Sequence, residues 1–312
     1  MFNSTLENNP IIYILIKMKQ TEYLNHSDVQ NFVQWMSKNL NNETFAHAYV
    51  NRKDRRVRTV WRCNSLVDAV NQYNWKFSTI DGLDVVAGSS YEVNTKALSA
   101  LQTQLTGALA AINDADSNTC QAAVKVMQWG GVSAGNNTWL NENQAHLAQT
   151  LANNRDIFDA GDTEKIPTHL RFNAGMTKVY SLICENFIIY DSRVAAALGW
   201  SVVKFCKANN LTQVPDALRF PWAPAKEDPK TKLPKRRNPS ENGFDFPRLR
   251  PGEFHAKWNL KASWLLTEIL AHHAGQNAGQ NAFAAIDQGN NPLRAFEAAL
   301  FMIGYDLNTA GA

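Results

Sequence analysis

Lys178 and Asp191 are the two residues of this chain whose types and spacing most suggest chemistry. The lysine follows a polar turn in NAGMTKVY, and thirteen residues later the aspartate of IIYDSR opens another predicted helix. The pair would supply a catalytic amine and a catalytic carboxylate to one substrate. Taken singly, a lysine in a first helical turn is usually solvated and an aspartate before a helix is usually an N-cap. Both interpretations are open from spacing alone.

The turn before Lys178 suggests a binding function. Asn173 and Gly175 form a polar turn, and Thr177 then begins a helix. Backbone N–H groups at the N-terminus of a helix are suited to bind phosphate, and a lysine beside them would be directed at a nucleic-acid backbone. The sequence therefore predicts a helix, tight turn, helix arrangement that grips phosphate.

Positive charge is concentrated in the C-terminal third. The net charge is only +3, but residues 219–261 hold eleven Lys and Arg against five Asp and Glu. Residues 221–252 also contain seven prolines, which excludes a long regular element and predicts an extended basic excursion. This charge distribution indicates an anionic partner.

Helical periodicity dominates the elements that must position these residues. Apolar residues recur at helical spacing from Leu98 to Ile112, where Asn94 or Thr95 is the expected cap, and again in a helix begun by Pro292 and stopped by Gly304. Strand-like alternation is sparse, with short strands or a loop expected around WRCNSLVDAV and WKFSTIDGLDVVAG. We expect a mainly α protein.

The composition indicates a soluble globular protein of the cytoplasm. The 312 residues are 45% hydrophobic, enough for a large core, and the apolar run at 11–16 is too short to span a bilayer. The cysteines are widely scattered and form no metal-binding pairs, which favours a reducing compartment and predicts no metal site. They are Cys63, Cys120, Cys184 and Cys206.

The segment NAGMTKVYSLICENFIIYDSRVAAAL resembles the hairpin and catalytic residues of the helix-hairpin-helix DNA glycosylases, closest to their 8-oxoguanine and endonuclease III branches. Thr177, Lys178 and Val179 match the T-K-V of that family. Asp191 and Val194 match the aspartate and the second valine of its V-D-x-H-V pattern. The specific resemblance covers about thirty residues.

The same segment departs from the family pattern at the hairpin. Ala174, Gly175 and Met176 stand where the family has glycine, an apolar residue and glycine, so one glycine is displaced and the other is missing. The interval from Lys178 to Asp191 is also a few residues shorter than is usual there. No cysteine quartet follows that could bind the iron-sulfur cluster carried by one branch of the family, which excludes that branch.

The resemblance implies a two-lobed helical architecture with few or no strands, forming a single catalytic unit over residues 1–312. The expected lobes are 20–115 with 240–312, and 116–215 with the hairpin; 221–252 is the basic excursion. The implied partner is double-stranded DNA containing a modified base. The protein is expected to bind it as a monomer, with no cofactor and no membrane. The expected DNA contacts are Ala174, Gly175, Met176, Thr177, Lys235, Arg236, Arg237, Arg248 and Arg250.

The resemblance also implies the chemistry. Such enzymes flip a nucleotide out of the duplex before cleaving its glycosidic bond. Asp191 would stabilise the oxocarbenium-like sugar, and Lys178 would attack C1′ to leave a Schiff base that can proceed to strand cleavage. In a monofunctional alternative, water attacks and Lys178 only contacts the substrate.

Three functions remain open on these grounds. The segments PWAPAKEDPK and FPRLRPGEFHAKWNLKASWLL resemble prokaryotic antiphage glycosylases that attack modified pyrimidines, such as glucosylated hydroxymethylcytosine, and this is the preferred expectation. The second is a repair glycosylase for 8-oxoguanine. The third is a helical DNA-binding protein without catalysis. Only an enzyme requires both Lys178 and Asp191 for base release.

Overall fold

The computed structural model describes residues 18–51, 59–228, 230–287 and 291–309. The apolar run at 11–16 lies outside them. Within the described part the chain is mainly helical, as expected, and none of its helices is both long and apolar enough to cross a membrane. The helices are α1 (Gln20–Leu24), α2 (Ser27–Ser37), α3 (Leu66–Asn71), α4 (Tyr91–Leu109), α5 (Ala115–Trp129), α6 (Asn136–Glu142), α7 (Leu147–Asp159), α8 (Met176–Ile183), α9 (Ser192–Ala208), α10 (Glu253–Gln276), α11 (Ala284–Asp287) and α12 (Pro292–Ile303).

The chain divides into two compact units. The first contains the described residues of Met1–Gln72, Tyr190–Arg250 and Lys261–Ala312, and the second contains Tyr73–Ile189 and Pro251–Leu260. These boundaries differ from the expected lobes. Helix α4 belongs with the hairpin because it packs along α5 and α8, whereas α9 belongs to the first unit because it packs on α2 and α12.

The first unit contains a two-stranded antiparallel sheet, β1 (His47–Asn51) and β2 (Thr59–Cys63). Tyr49 and Trp61 face each other in its register, with ring centroids 4.8 Å apart. Of the two segments expected to be strands or loop, WRC ends β2 and SLVDAV continues into α3, whereas residues 74–80 are irregular. Aromatic stacking therefore stabilises a sheet too small to be stable alone.

Residues 221–228 and 230–250 are irregular, as the prolines predict, but they are anchored to the first unit. The Arg236 N–H donates to the Asp306 carboxylate at 2.9 Å, and the Arg236 carbonyl accepts from the Leu307 N–H at 2.8 Å. Phe244 and Phe246 are buried. The segment is therefore a packed part of the unit.

The second unit is built around α4 and α5. Leu98, Leu101 and Leu105 are buried as the periodicity predicts. The expected cap was wrong: Ser90 caps α4 by accepting the Val93 N–H, and the helix therefore starts one turn earlier.

The predicted C-terminal end of α4 was also wrong. The helix ends at Leu109, and Ile112, expected on its apolar face, is 97% exposed beyond that end. The prediction for the last long helix was better, because α12 begins at Pro292 and is followed by Gly304 as its C-cap.

Candidate functional site

Lys178 is a buried residue of the second unit. All eight residues of α8 are buried, and the lysine side chain is only 5% exposed. Its Nζ donates to the carbonyl of Ala174 at 2.8 Å, one turn earlier, where Ala174 itself is exposed. Lysine is almost never fully buried without a partner. The interpretation of Lys178 as an ordinary solvated lysine is therefore wrong.

The glycine that follows α5 makes room for the lysine. A Cβ at Gly130 would lie 2.5 Å from Cδ and 2.7 Å from Cε of Lys178, closer than side-chain carbons approach. The methylene stem therefore runs directly against the Gly130 backbone. The sequence marked Gly130 and Gly131 only as a helix stop, and no signal in it connects Gly130 with a lysine 48 residues later.

In the turn that was expected to bind phosphate, oxygens of Asn173 already accept hydrogen bonds from the backbone N–H groups. The Asn173 Oδ1 accepts the N–H of Gly175 at 2.8 Å and of Met176 at 3.1 Å, and the Asn173 carbonyl accepts the N–H of Thr177 at 3.0 Å. These three expected phosphate donors are thus engaged inside the protein. Phosphate binding by them requires the Asn173 cap to be displaced.

Gly175 serves packing in this turn. A Cβ there would overlap the side chain of Asn136 and would lie 2.7 Å from the Met127 sulfur. The Thr177 hydroxyl donates to the Asn259 Oδ1 at 2.5 Å, so it is also internal. The displaced glycine of the hairpin pattern is explained by close approach to α5 and α6, without a ligand.

Asp191 lies in the first unit and is the N-cap of α9. Its Oδ1 accepts the backbone N–H of Arg193 at 2.8 Å and of Val194 at 3.2 Å. The cap interpretation is therefore confirmed, and it leaves a catalytic role for the carboxylate open, since both can hold at once. At the other side of the helix start, a Cβ on Gly304 would overlap the Arg193 carbonyl, so only glycine allows the C-terminal end of α12 to approach here.

Arg237 reaches the same helix start and is buried, being only 9% exposed. Its guanidinium hydrogen-bonds the Ser192 hydroxyl and interacts electrostatically with Asp191. Burial, with the nearby Arg193 charge, lowers the pKa of Arg237 to about 10, so the group stays charged at neutral pH. The Arg237 side chain therefore points into the unit beside Asp191, and its contact with phosphate stays a prediction.

Ion pairs engage two further expected DNA contacts. Lys235 pairs with Glu227, and Arg236 pairs with Glu241 at 2.9 Å while also donating to backbone carbonyls. Among the expected basic contacts, the two exposed ones are Arg248, whose guanidinium lies 4.3 Å from the centre of the Trp222 ring, and Arg250.

No family model, curated protein or solved structure matches this chain. Across the described ranges, no group of three or more His, Cys, Asp or Glu side chains is arranged to hold a metal ion. The candidate functional groups are the buried Lys178 of the second unit and Asp191, at the start of α9, in the first unit.

Proposed function

We propose that this chain is a DNA N-glycosylase that excises a modified base and leaves an abasic site. The observation that supports the proposal most strongly is the burial of Lys178, whose amine donates to the carbonyl of the exposed Ala174. Burying a lysine stem and ordering its amine costs free energy. A functional role for the amine accounts for that cost, whereas a solvated lysine would avoid it.

In the proposed reaction the target nucleotide leaves the base stack, and Asp191 stabilises positive charge developing on the deoxyribose. The neutral amine of Lys178 forms a bond to C1′ as the glycosidic bond breaks, and the base departs with the bonding electrons and takes up a proton. Loss of an amine proton and opening of the sugar ring leave a protonated Schiff base. In the monofunctional form, water supplies the nucleophile and Lys178 contacts the substrate.

The proposed substrate is duplex DNA carrying a modified cytosine, such as glucosylated hydroxymethylcytosine, encountered in antiphage defence. The exposed Arg248 and Arg250 are the proposed phosphate contacts. Their positive charge supports DNA binding but carries no information about the base, so the choice of base rests on the resemblance alone.

Mass spectrometry of released bases tests the proposal. The purified protein is incubated with matched duplexes containing ordinary cytosine, glucosylated hydroxymethylcytosine or 8-oxoguanine, and free bases are quantified. We expect release of the modified cytosine alone. Release of 8-oxoguanine would reassign the enzyme to repair, and DNA binding without release of any base would favour a non-catalytic DNA-binding protein.

Borohydride trapping separates the two roles of Lys178. A covalent protein–DNA adduct that is lost in Lys178→Gln supports attack by the amine. Base release without an adduct supports attack by water. Equal adduct in Lys178→Gln would assign the Schiff base to another amine and overturn the role of Lys178.

A further inference from the structure

We infer that Gly130 is a positioning residue for the Lys178 amine, because the hydrogen in place of its side chain leaves the space through which the lysine stem passes. The catalytic consequence of this inference rests on the proposed glycosylase function. The steric part concerns the second unit alone and stands independently of any activity.

The backbone of Gly130 does not itself require glycine. Its φ of −75° and ψ of −8° are ordinary right-handed helical values that any L-residue adopts. The neighbouring Gly131 differs, since its φ of +63° favours glycine. The two adjacent glycines therefore have different causes, and at Gly130 the cause is space.

The space at Gly130 is filled mainly by the lysine. An added Cβ would lie 2.5 and 2.7 Å from the Lys178 stem, whereas its next neighbour, a methyl carbon of Val132, would be 3.3 Å away. The stem is the flexible partner of this contact, because lysine has several rotatable bonds. An alanine at 130 is thus accommodated by displacement of Lys178.

Hydrogen bonds hold the Gly130 side of the contact. The Gly130 N–H donates to the Val126 carbonyl at 3.0 Å. The carbonyl of the preceding Trp129 accepts from the Trp75 indole at 3.1 Å, and the Trp129 indole donates to Asn94 at 3.0 Å. When the Lys178 stem is displaced, its Nζ no longer reaches the Ala174 carbonyl, so the amine moves away from its present position.

The steric inference is tested by a double-mutant cycle on thermal unfolding of the full chain. Gly130→Ala is made in the wild-type and in the Lys178→Ala background. We expect it to lower the Tm in the wild type and to have no such effect when the stem is absent, since the added Cβ then no longer meets the lysine carbons. An equal loss of Tm in both backgrounds would overturn the inference.

The matched control is Gly107→Ala, on α4 of the same unit, where an added Cβ meets no atom within 4 Å.

Limited acylation followed by peptide mass spectrometry then compares Lys178 with the exposed Lys96. We expect a several-fold change in the Lys178 rate in Gly130→Ala only, and an unchanged Lys96 rate. An unchanged Lys178 rate in Gly130→Ala would contradict displacement of the amine.

Activity completes the test. We expect base release by folded Gly130→Ala to fall about 100-fold, as for an amine misplaced by about 1 Å, and release by Gly107→Ala to stay at the wild-type level. Wild-type release by Gly130→Ala despite altered acylation would overturn the positioning role. Absence of release from every variant and from the wild type would instead refute the glycosylase proposal, while the Tm cycle and acylation would still decide the steric inference.

Discussion

At the scale of single residues, Asp191 has an observed role as a helix cap and a proposed catalytic role, and substitution can separate the two. Its Oδ1 caps α9 through the N–H groups of Arg193 and Val194, and the proposed chemistry uses its negative charge. Asparagine caps helices about as well as aspartate, whereas alanine does not. Asp191→Asn therefore removes the charge and keeps the cap, and Asp191→Ala removes both.

We expect Asp191→Asn to abolish base release with DNA binding retained, and to lower the free energy of unfolding because the buried Arg237 loses a nearby negative charge. We expect Asp191→Ala to lose base release as well and to lower the free energy of unfolding by about 1 kcal/mol more, the usual cost of a lost N-cap. Denaturant unfolding, base release and DNA binding are measured on both variants. Full base release by Asp191→Asn would refute the catalytic role of the carboxylate.

At the scale of elements, the sequence predicted what local pattern controls. The mainly helical class, the cap at Asp191 and both ends of α12 follow from periodicity, capping residues and proline, and all are confirmed. The burial of Lys178 was not predictable, because it depends on space opened by Gly130 at the end of another helix. The paired state of Lys235 depends likewise on the loop bringing Glu227 to it.

The two-stranded sheet carries a pH-sensitive contact. The buried His47 imidazole of β1 hydrogen-bonds the Asp306 carbonyl at 2.8 Å. Burial lowers its pKa below the ordinary 6.5, with the Lys204 charge acting in the same direction and Asp306 opposing. The unfolded chain therefore binds a proton more readily than the native protein below about pH 6.5.

We expect the free energy of unfolding to fall as the pH drops from about 6.5 through the lowered native pKa of His47, because protonation favours the unfolded chain. His47→Gln should remove this part of the pH dependence. His169→Gln is the control, since His169 is exposed. Denaturant unfolding between about pH 5 and 8 measures the effect; the same slope in His47→Gln and the wild type would contradict the assignment.

At the scale of the whole molecule, the number of basic residues in the sequence is a poorer guide to which side chains can bind DNA than the contacts of each side chain are. Eleven basic residues between 219 and 261 indicated an anionic partner. Carboxylates already neutralise Lys235 and Arg236, and Arg237 is buried beside Asp191. Counting charges along the sequence therefore overestimates the number of basic side chains available to a proposed anionic partner, because the count does not reveal which of them have partners inside the protein.

The salt dependence of DNA affinity measures how many of these charges bind phosphate. Each neutralised phosphate adds about 0.9 to the slope of log K against log salt concentration in duplex DNA. We expect Arg248→Gln and Arg250→Gln each to reduce the slope by about one, because both side chains are exposed. We expect Lys235→Gln and Arg236→Gln to change it little, because their charges are paired within the unit. Equal slope reductions for all four variants would mean that the Glu227 and Glu241 ion pairs open on DNA, and that the full basic segment forms the binding surface.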